Sequence, residues 1–301
     1  MQSPAQNSTR QASSFNPDRI GISTNILDDP GNLQESLLKL SEHFKTIEIE
    51  FDNEARRYLT MPEASLADEC ERLMQLKKDR GLNFSVHAPY IGRDTDISNL
   101  DDAKRERAVS LMLTSMEVTA RLGAERFTCH PGYLTKDPSN NDELYSQLKK
   151  SLIPMVKSAR AMNIAICLEN TGNDRPNYIV LSDKQHNELC GQFGIALTMD
   201  IIHFTSFRGI DADYYKRLKP ILTCVANVHV ADMEVPKHVH LPLGIGTFQF
   251  DEAIHYMAEA GYSGNFIVEE RGAHYTEQNY IDAAARYRKR LMTSVSEATP
   301  A

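Results

Sequence analysis

Eight times along the chain a short apolar run of strand length is followed by a longer segment with helical spacing. The runs are RIGIST (19–24), KTIEIEF (45–51), NFSVHAP (83–89), RFTCHPG (126–132), IAICLEN (164–170), IALTMDIIHF (195–204), VANVHVAD (225–232) and NFIVEE (265–270). Strict alternation of strand and helix argues for parallel strands joined by crossover helices. Eight such units are the number that closes a barrel. The expected fold class is therefore α/β, a single-domain (β/α)8 TIM barrel over residues 17–295. No G-x-G-x-x-G follows the first run, so an open dinucleotide-binding sheet lacks its signature.

The helical segments carry matching detail. Over 101–123, Val109, Met112, Leu113, Met116 and Ala120 mark an apolar face at helical spacing, and Leu122–Gly123 supplies a natural stop. Such a Met-rich stripe reads as barrel packing. The 301 residues, 41% hydrophobic and 25% charged, are ordinary globular composition, and one barrel of roughly 250 residues uses nearly all of them.

Residues 1–16 are polar and offer little to bury, so they read as a disordered tail, with a short C-terminal tail over 296–301. The N-terminus lacks the apolar core of a secretory signal, and no run approaches a membrane span, so a cytoplasmic protein with no membrane partner is expected. Five cysteines without a C-x-x-C pair suit reduced thiols. Cys129 and Cys167 fall inside apolar runs and read as core. The formal net charge of −8 opposes nonspecific nucleic-acid binding, which rests on basic surface.

The polar residues are informative by position. His87, His130, Glu169, Asp200, His229 and Glu269 each close a strand candidate, and His203 follows Asp200 by three residues. Barrel active sites lie at strand C-termini. A lone His at a strand end is usually a satisfied structural residue, but seven such residues in register are hard to explain by structure alone. Converging on one mouth, they would cost several kcal/mol to bury unpartnered, whereas a divalent cation satisfies them together. Imidazole with carboxylate suits Zn, Mn, Fe or Co, and Mg stays open. A second cluster, KHVHLPLGIG (237–246), places His238 and His240 on one side of an extended segment. His240 is the stronger candidate as ligand or substrate contact.

VHAPY (86–90), LGAERFTCHPG (122–132), LENTG (168–172), DIIH (200–203), VHVAD (228–232), HLPLGIG (240–246) and IVEE (267–270), in this order, resemble the xylose isomerase-like TIM barrel superfamily. That superfamily includes sugar and sugar-phosphate isomerases and epimerases and the apurinic endonuclease IV family. The resemblance implies a metal core on Glu169, Asp200, His229 and Glu269. In the epimerase branch the two glutamates also shuttle a proton at the carbon between them. In the endonuclease branch additional histidines widen the site to three metals, and their counterparts here are His87, His130, His203 and His240. His238 stands where that branch has an Asp, which changes the charge of a third site.

The reading this supports is a metal-dependent isomerase or epimerase of a small polyhydroxylated carbonyl compound. Glu169 and Glu269 would be its ligands and acid/base pair, and His87, His203 and His240 its contacts to substrate. A multinuclear phosphoesterase is the alternative, with a metal-dependent lyase or oxygenase as a third. The acidic balance and the short 229–240 loop weigh against DNA as substrate. Barrels of this kind often pair, so a homo-oligomer is compatible with the chain.

Overall fold

The strands and helices follow from burial on two sides. A parallel barrel strand faces side chains within the barrel and helices outside it, so its sequence is apolar on one face and free to be polar only where the interior supplies partners. In the computed structural model, which describes residues 16–28, 32–52, 54–172, 178–209, 213–235, 237, 239–269, 272 and 274–297, the strands are β1 Ile20–Ser23, β2 Thr46–Glu50, β3 Asn83–His87, β4 Arg126–Cys129, β5 Ala165–Glu169, β6 Ala196–Asp200, β7 Val225–Val230 and β8 Asn265–Val268. They pair in chain order, all parallel, and β8 closes on β1.

The helices are α1 Leu33–Ser41, α2 Glu63–Arg80, α3 Asp102–Arg121, α4 Asn141–Ala161, α5 Asp183–Phe193, α6 Ile201–Arg208, α7 Tyr214–Leu222, α8 Phe250–Glu259 and α9 Glu277–Glu297. Val109, Met112 and Met116 of α3 are buried, and Leu113 and Ala120 pack against the core from partly buried positions, as the helical spacing predicts. Cys129 and Cys167 are buried free thiols. The tail expected over 1–16 lies outside the described residues except Asn16, which caps the first short helical turn, and α9 extends to Glu297.

Contacts between non-adjacent strands identify the interior face. Thr128 of β4 and Thr198 of β6 share a hydroxyl hydrogen bond of 2.8 Å, and Asn227 of β7 donates to Glu48 of β2 at 3.0 Å. Alternation then sets two interior layers. The lower holds Glu48, Ser85, Thr128, Cys167, Thr198 and Asn227. The upper holds Glu50, His87, Glu169, Asp200 and His229, with Glu50 beside His87 and Asp200 beside His229 in register. Close approach at the barrel floor requires Gly21, where a Cβ would lie 2.5 Å from the Thr46 carbonyl oxygen.

One element differs from the sequence expectation. The run 195–204 is a strand only to Asp200, because the Asp200 carboxylate accepts the His203 N–H at 2.8 Å and caps α6. Ile201, Ile202 and Phe204 remain buried, so the apolar run continues through the change of conformation. His203 thus sits in the first turn of a helix. Among the described residues, no helix is long and apolar enough to cross a membrane.

Candidate functional site

The C-terminal ends of the strands bring the expected residues to one mouth. His87 ends β3, Glu169 ends β5, Asp200 ends β6, and His229 lies near the end of β7. His130 and Glu269 follow β4 and β8 by one residue, and His240 comes from the segment between β7 and α8. His87 and His229 are fully buried, and Glu169, Asp200, His203, His240 and Glu269 are no more than 7% exposed. His238, Glu270 and Arg271 lie outside the described residues.

Two groups of ligand-type atoms form. One is His87, Glu169, His229 and Glu269, and the other is Asp200, His203 and His240; within each group the atoms lie within 4.8 Å of one another. Glu169 stands at the centre. Its Oε2 is 3.1 Å from His87 Nε2, 3.4 Å from His130 Nε2 and 3.4 Å from His229 Nδ1, while its Oε1 is 3.5 Å from His203 Nδ1. Glu269 Oε2 is 3.0 Å from His229 Nδ1, and its Oε1 is 3.8 Å from His87 Nε2. Asp200 falls with the second group because its Oδ1 caps α6 while Oδ2 lies 3.8 Å from His203 Nδ1.

The donor set fits a divalent cation on two observations. His87 Nδ1 is 2.8 Å from the Ala88 carbonyl oxygen, which only accepts, so Nδ1 carries the proton and the lone pair of Nε2 faces the Glu169 carboxylate. Two acceptors at this distance hold together only through a proton or a cation. His229 Nδ1 is buried and makes no hydrogen bond although Glu269 Oε2 is 3.0 Å away, the relation expected of two ligands aimed at a third point. His203 Nδ1 likewise meets the Asn170 carbonyl oxygen at 2.9 Å. Backbone carbonyls that set ring tautomers in this way are usual partners of metal-ligating histidines.

The electrostatics agree. Burial opposes ionisation of Glu169, but His130 and His229 outweigh it and hold that carboxyl well below the usual range. Burial likewise opposes protonation of His87 and His229, yet the carboxylates around them, Glu50, Glu169 and Glu269 for His87 and Glu269, Glu48 and Glu169 for His229, raise both well above the ordinary histidine range. His130 is lowered, chiefly by burial.

Three contributions were not anticipated from the sequence. Glu48 and Glu50 of β2 are fully buried inside the barrel, Glu48 beneath His229 and Glu50 beside His87 at 3.5 Å from its Nδ1. The signal was the alternation in IEIE (47–50), which in a strand puts both carboxylates on the interior face. Asp232 is the third. Its carboxylate accepts the N–H groups of Met233 at 2.8 Å, Gly244 at 2.9 Å and Phe248 at 3.2 Å, and its backbone pairs with Leu241. This pins the segment carrying His240, whose carbonyl also accepts the Tyr280 hydroxyl at 2.7 Å. Tyr90 and Tyr178 flank His130, each ring 4.8 Å from the imidazole. Arg93 stacks on Tyr133 at 4.6 Å and is mostly exposed.

The chain is 26% identical over 258 residues to an uncharacterised protein of Methanocaldococcus jannaschii, covering 84% of each. A crystal structure of a D-tagatose 3-epimerase-like protein shares the fold at a TM-score of 0.75, with 24% identity, 92% of this chain and 98% of that one. The IolI protein with a bound zinc atom matches at a TM-score of 0.70, with 17% identity, 94% of this chain and 99% of that one. The family model for the xylose isomerase-like TIM barrel matches residues 38–291, nearly the whole barrel from α1 to α9. With eight parallel strands closed in chain order and the polar cluster at their C-terminal ends, the chain belongs to the xylose isomerase-like TIM barrel family.

Proposed function

We propose that the protein is a divalent-metal-dependent isomerase or epimerase of a small polyhydroxylated carbonyl compound. The observation that carries this reading is the convergence of two carboxylates from non-adjacent strands, Glu169 and Glu269, on one imidazole nitrogen, His229 Nδ1, at 3.4 and 3.0 Å. His87, Glu169, His229 and Glu269 would hold the ion, with Asp200 completing the set from β6. A cation there supplies polarisation of a substrate carbonyl and offsets the negative charge that develops when the adjacent carbon loses its proton.

The chain's own residues do the rest. One glutamate accepts the proton from the carbon beside the carbonyl, and the other returns a proton from its own side, which inverts or relocates the stereocentre. Positioned acid–base groups of this kind contribute roughly 10²–10⁴-fold each. His203 and His240 stand beside this pair and would bind substrate hydroxyls. Tyr90 and Tyr178 wall the mouth on the His130 side, where apolar ring faces suit the C–H faces of a sugar. The epimerase-like and zinc-bound structural neighbours support both the substrate class and the metal.

The test is incubation in deuterium oxide with a panel of ketoses, inososes and keto-sugars. Deuterium is expected at the carbon next to the carbonyl of at least one returned compound, read by mass spectrometry. Absence of exchange across the panel by protein with verified bound metal would sink the isomerase reading.

A multinuclear hydrolase is the second reading, favoured by the Asp200–His203–His240 group and by Glu169 facing both groups through different oxygens. His130→Ala separates the two. It is expected to change isotope exchange less than tenfold and to leave one ion per chain by elemental analysis; loss of a second ion together with phosphoesterase activity would overturn the mononuclear reading.

A further inference from the structure

The metal reading leaves two fully buried carboxylates unused, Glu48 and Glu50, and Glu48 has the closer imidazole partner. Glu48 lies in the layer beneath the site, and its Oε1 is 2.8 Å from His229 Nε2. Its other oxygen accepts the Ser85 hydroxyl at 2.9 Å and the Asn227 amide at 3.0 Å. Partners from β3 and β7 therefore clamp a side chain from β2 at one height in the barrel. Burying a charge this deeply is costly unless it is paired, and a Leu or Val would fill the same interior.

The pairing has one sense. Glu48 Oε1 and His229 Nε2, 2.8 Å apart, lie off the line of an ordinary hydrogen bond, but a carboxylate can only accept and would repel a ring lone pair that close, so the proton is favoured on Nε2. The other nitrogen, Nδ1, then presents its lone pair between Glu169 and Glu269, at 3.4 and 3.0 Å. His229 is thus bracketed by acid below and acid above, and the two ring nitrogens have different tasks.

We infer that Glu48 is a positioning residue that fixes the tautomer and the orientation of His229, so that Nδ1 is available to a divalent cation. The inference rests on the metal reading proposed above. An acid partner on the far nitrogen also makes the imidazole a stronger electron donor, and loss of such partners typically lowers metal affinity by about 10–100-fold. Glu48→Gln keeps volume and removes the acceptor-only group. Ser85 and Asn227 both donate to the second oxygen, so they favour the glutamine carbonyl there and turn its amide N–H₂ toward His229. That demands a proton-free Nε2 and moves the ring proton to Nδ1, where it competes with the cation.

The experiment is titration of metal-free protein with Zn²⁺ under a competing chelator, comparing wild type, Glu48→Gln and Ser85→Ala, with the folded fraction of each checked by circular dichroism. Glu48→Gln is expected to bind Zn²⁺ about 10–100-fold more weakly, and Ser85→Ala, which leaves both charges in place, to weaken it in the same direction by less. Nitrogen-15 spectra of the zinc-loaded wild type are expected to show the His229 proton on Nε2. Wild-type binding with unchanged affinity in both variants, or a ring proton found on Nδ1, overturns the role of Glu48. Failure of the wild type to bind Zn²⁺ overturns the metal reading itself, and this inference with it. If Glu48→Gln does not fold, the Ser85→Ala titration and the wild-type spectrum still decide.

Discussion

Glu269→Gln is expected to lower turnover by roughly 10²–10⁴-fold, the range associated with a positioned acid or base, while the barrel stays folded. Glutamine matches glutamate in volume and fits the same rotamer, so packing at this nearly buried site is preserved. It loses the ability to take a proton, and its neutral amide is a weaker ligand for a cation than a carboxylate. Glu169→Gln is expected to be worse, because that carboxylate meets His87, His130, His203 and His229 within 3.5 Å and its loss disorganises both ligand groups at once. The check is the rate of deuterium exchange into substrate, with bound metal counted in each variant. Near wild-type exchange in Glu269→Gln would remove it from the acid–base pair, whatever its effect on metal content.

If the proposed site holds a divalent cation, stripping that ion is expected to lower thermal stability markedly. Saturation at about 1,000 times the dissociation constant is worth about 4 kcal/mol, and at roughly 2–4 °C per kcal/mol for a chain of this size the melting point should shift by about 10 °C. The pH dependence has a defined sign. In the metal-free protein His87 and His229 are raised well above 6.5, so their stabilising contribution is full below that value and is lost as pH rises through their folded values. Glu169 is depressed below 4.5, so its contribution holds above 4.5 and disappears only as pH falls through its own folded value. These three groups therefore favour the metal-free fold in mild acid, while His130, lowered by burial, works against it there. Metal must displace those imidazole protons, so the gain in melting temperature on adding Zn²⁺ should grow between about pH 6 and about pH 9. A gain that is constant or shrinks over that span would mean that these histidines are not displaced from their protons by the ion.

The barrel was readable from periodicity because each strand–helix unit repeats the same local signal. Strand ends fell within a few residues of expectation, and the one run that did not, 195–204, hid a helix start behind continuous hydrophobicity. Asp200 supplied the cap that ended the strand, a side-chain hydrogen bond that apolar spacing does not report. His87, His130, Glu169, Asp200 with His203 close behind, His229 and Glu269 are legible by their place at strand ends, since a polar residue at the end of a buried strand has one mouth to face, whereas His240 is legible only from its alternation with His238 in the 237–246 segment.

The sequence by itself determined that these side chains reach a common mouth, because strand alternation and the parallel order dictate which residues point inward at which height. Only the tertiary structure decided how they divide into groups, which ring nitrogen of each histidine faces the carboxylates, and that Glu48 belongs beneath His229. Those facts depend on partners 82 and 179 residues apart, as in His87 with Glu169 and Glu48 with Asn227. Contacts of that span are set by barrel closure and the stagger between strands, and a local pattern carries no information about either.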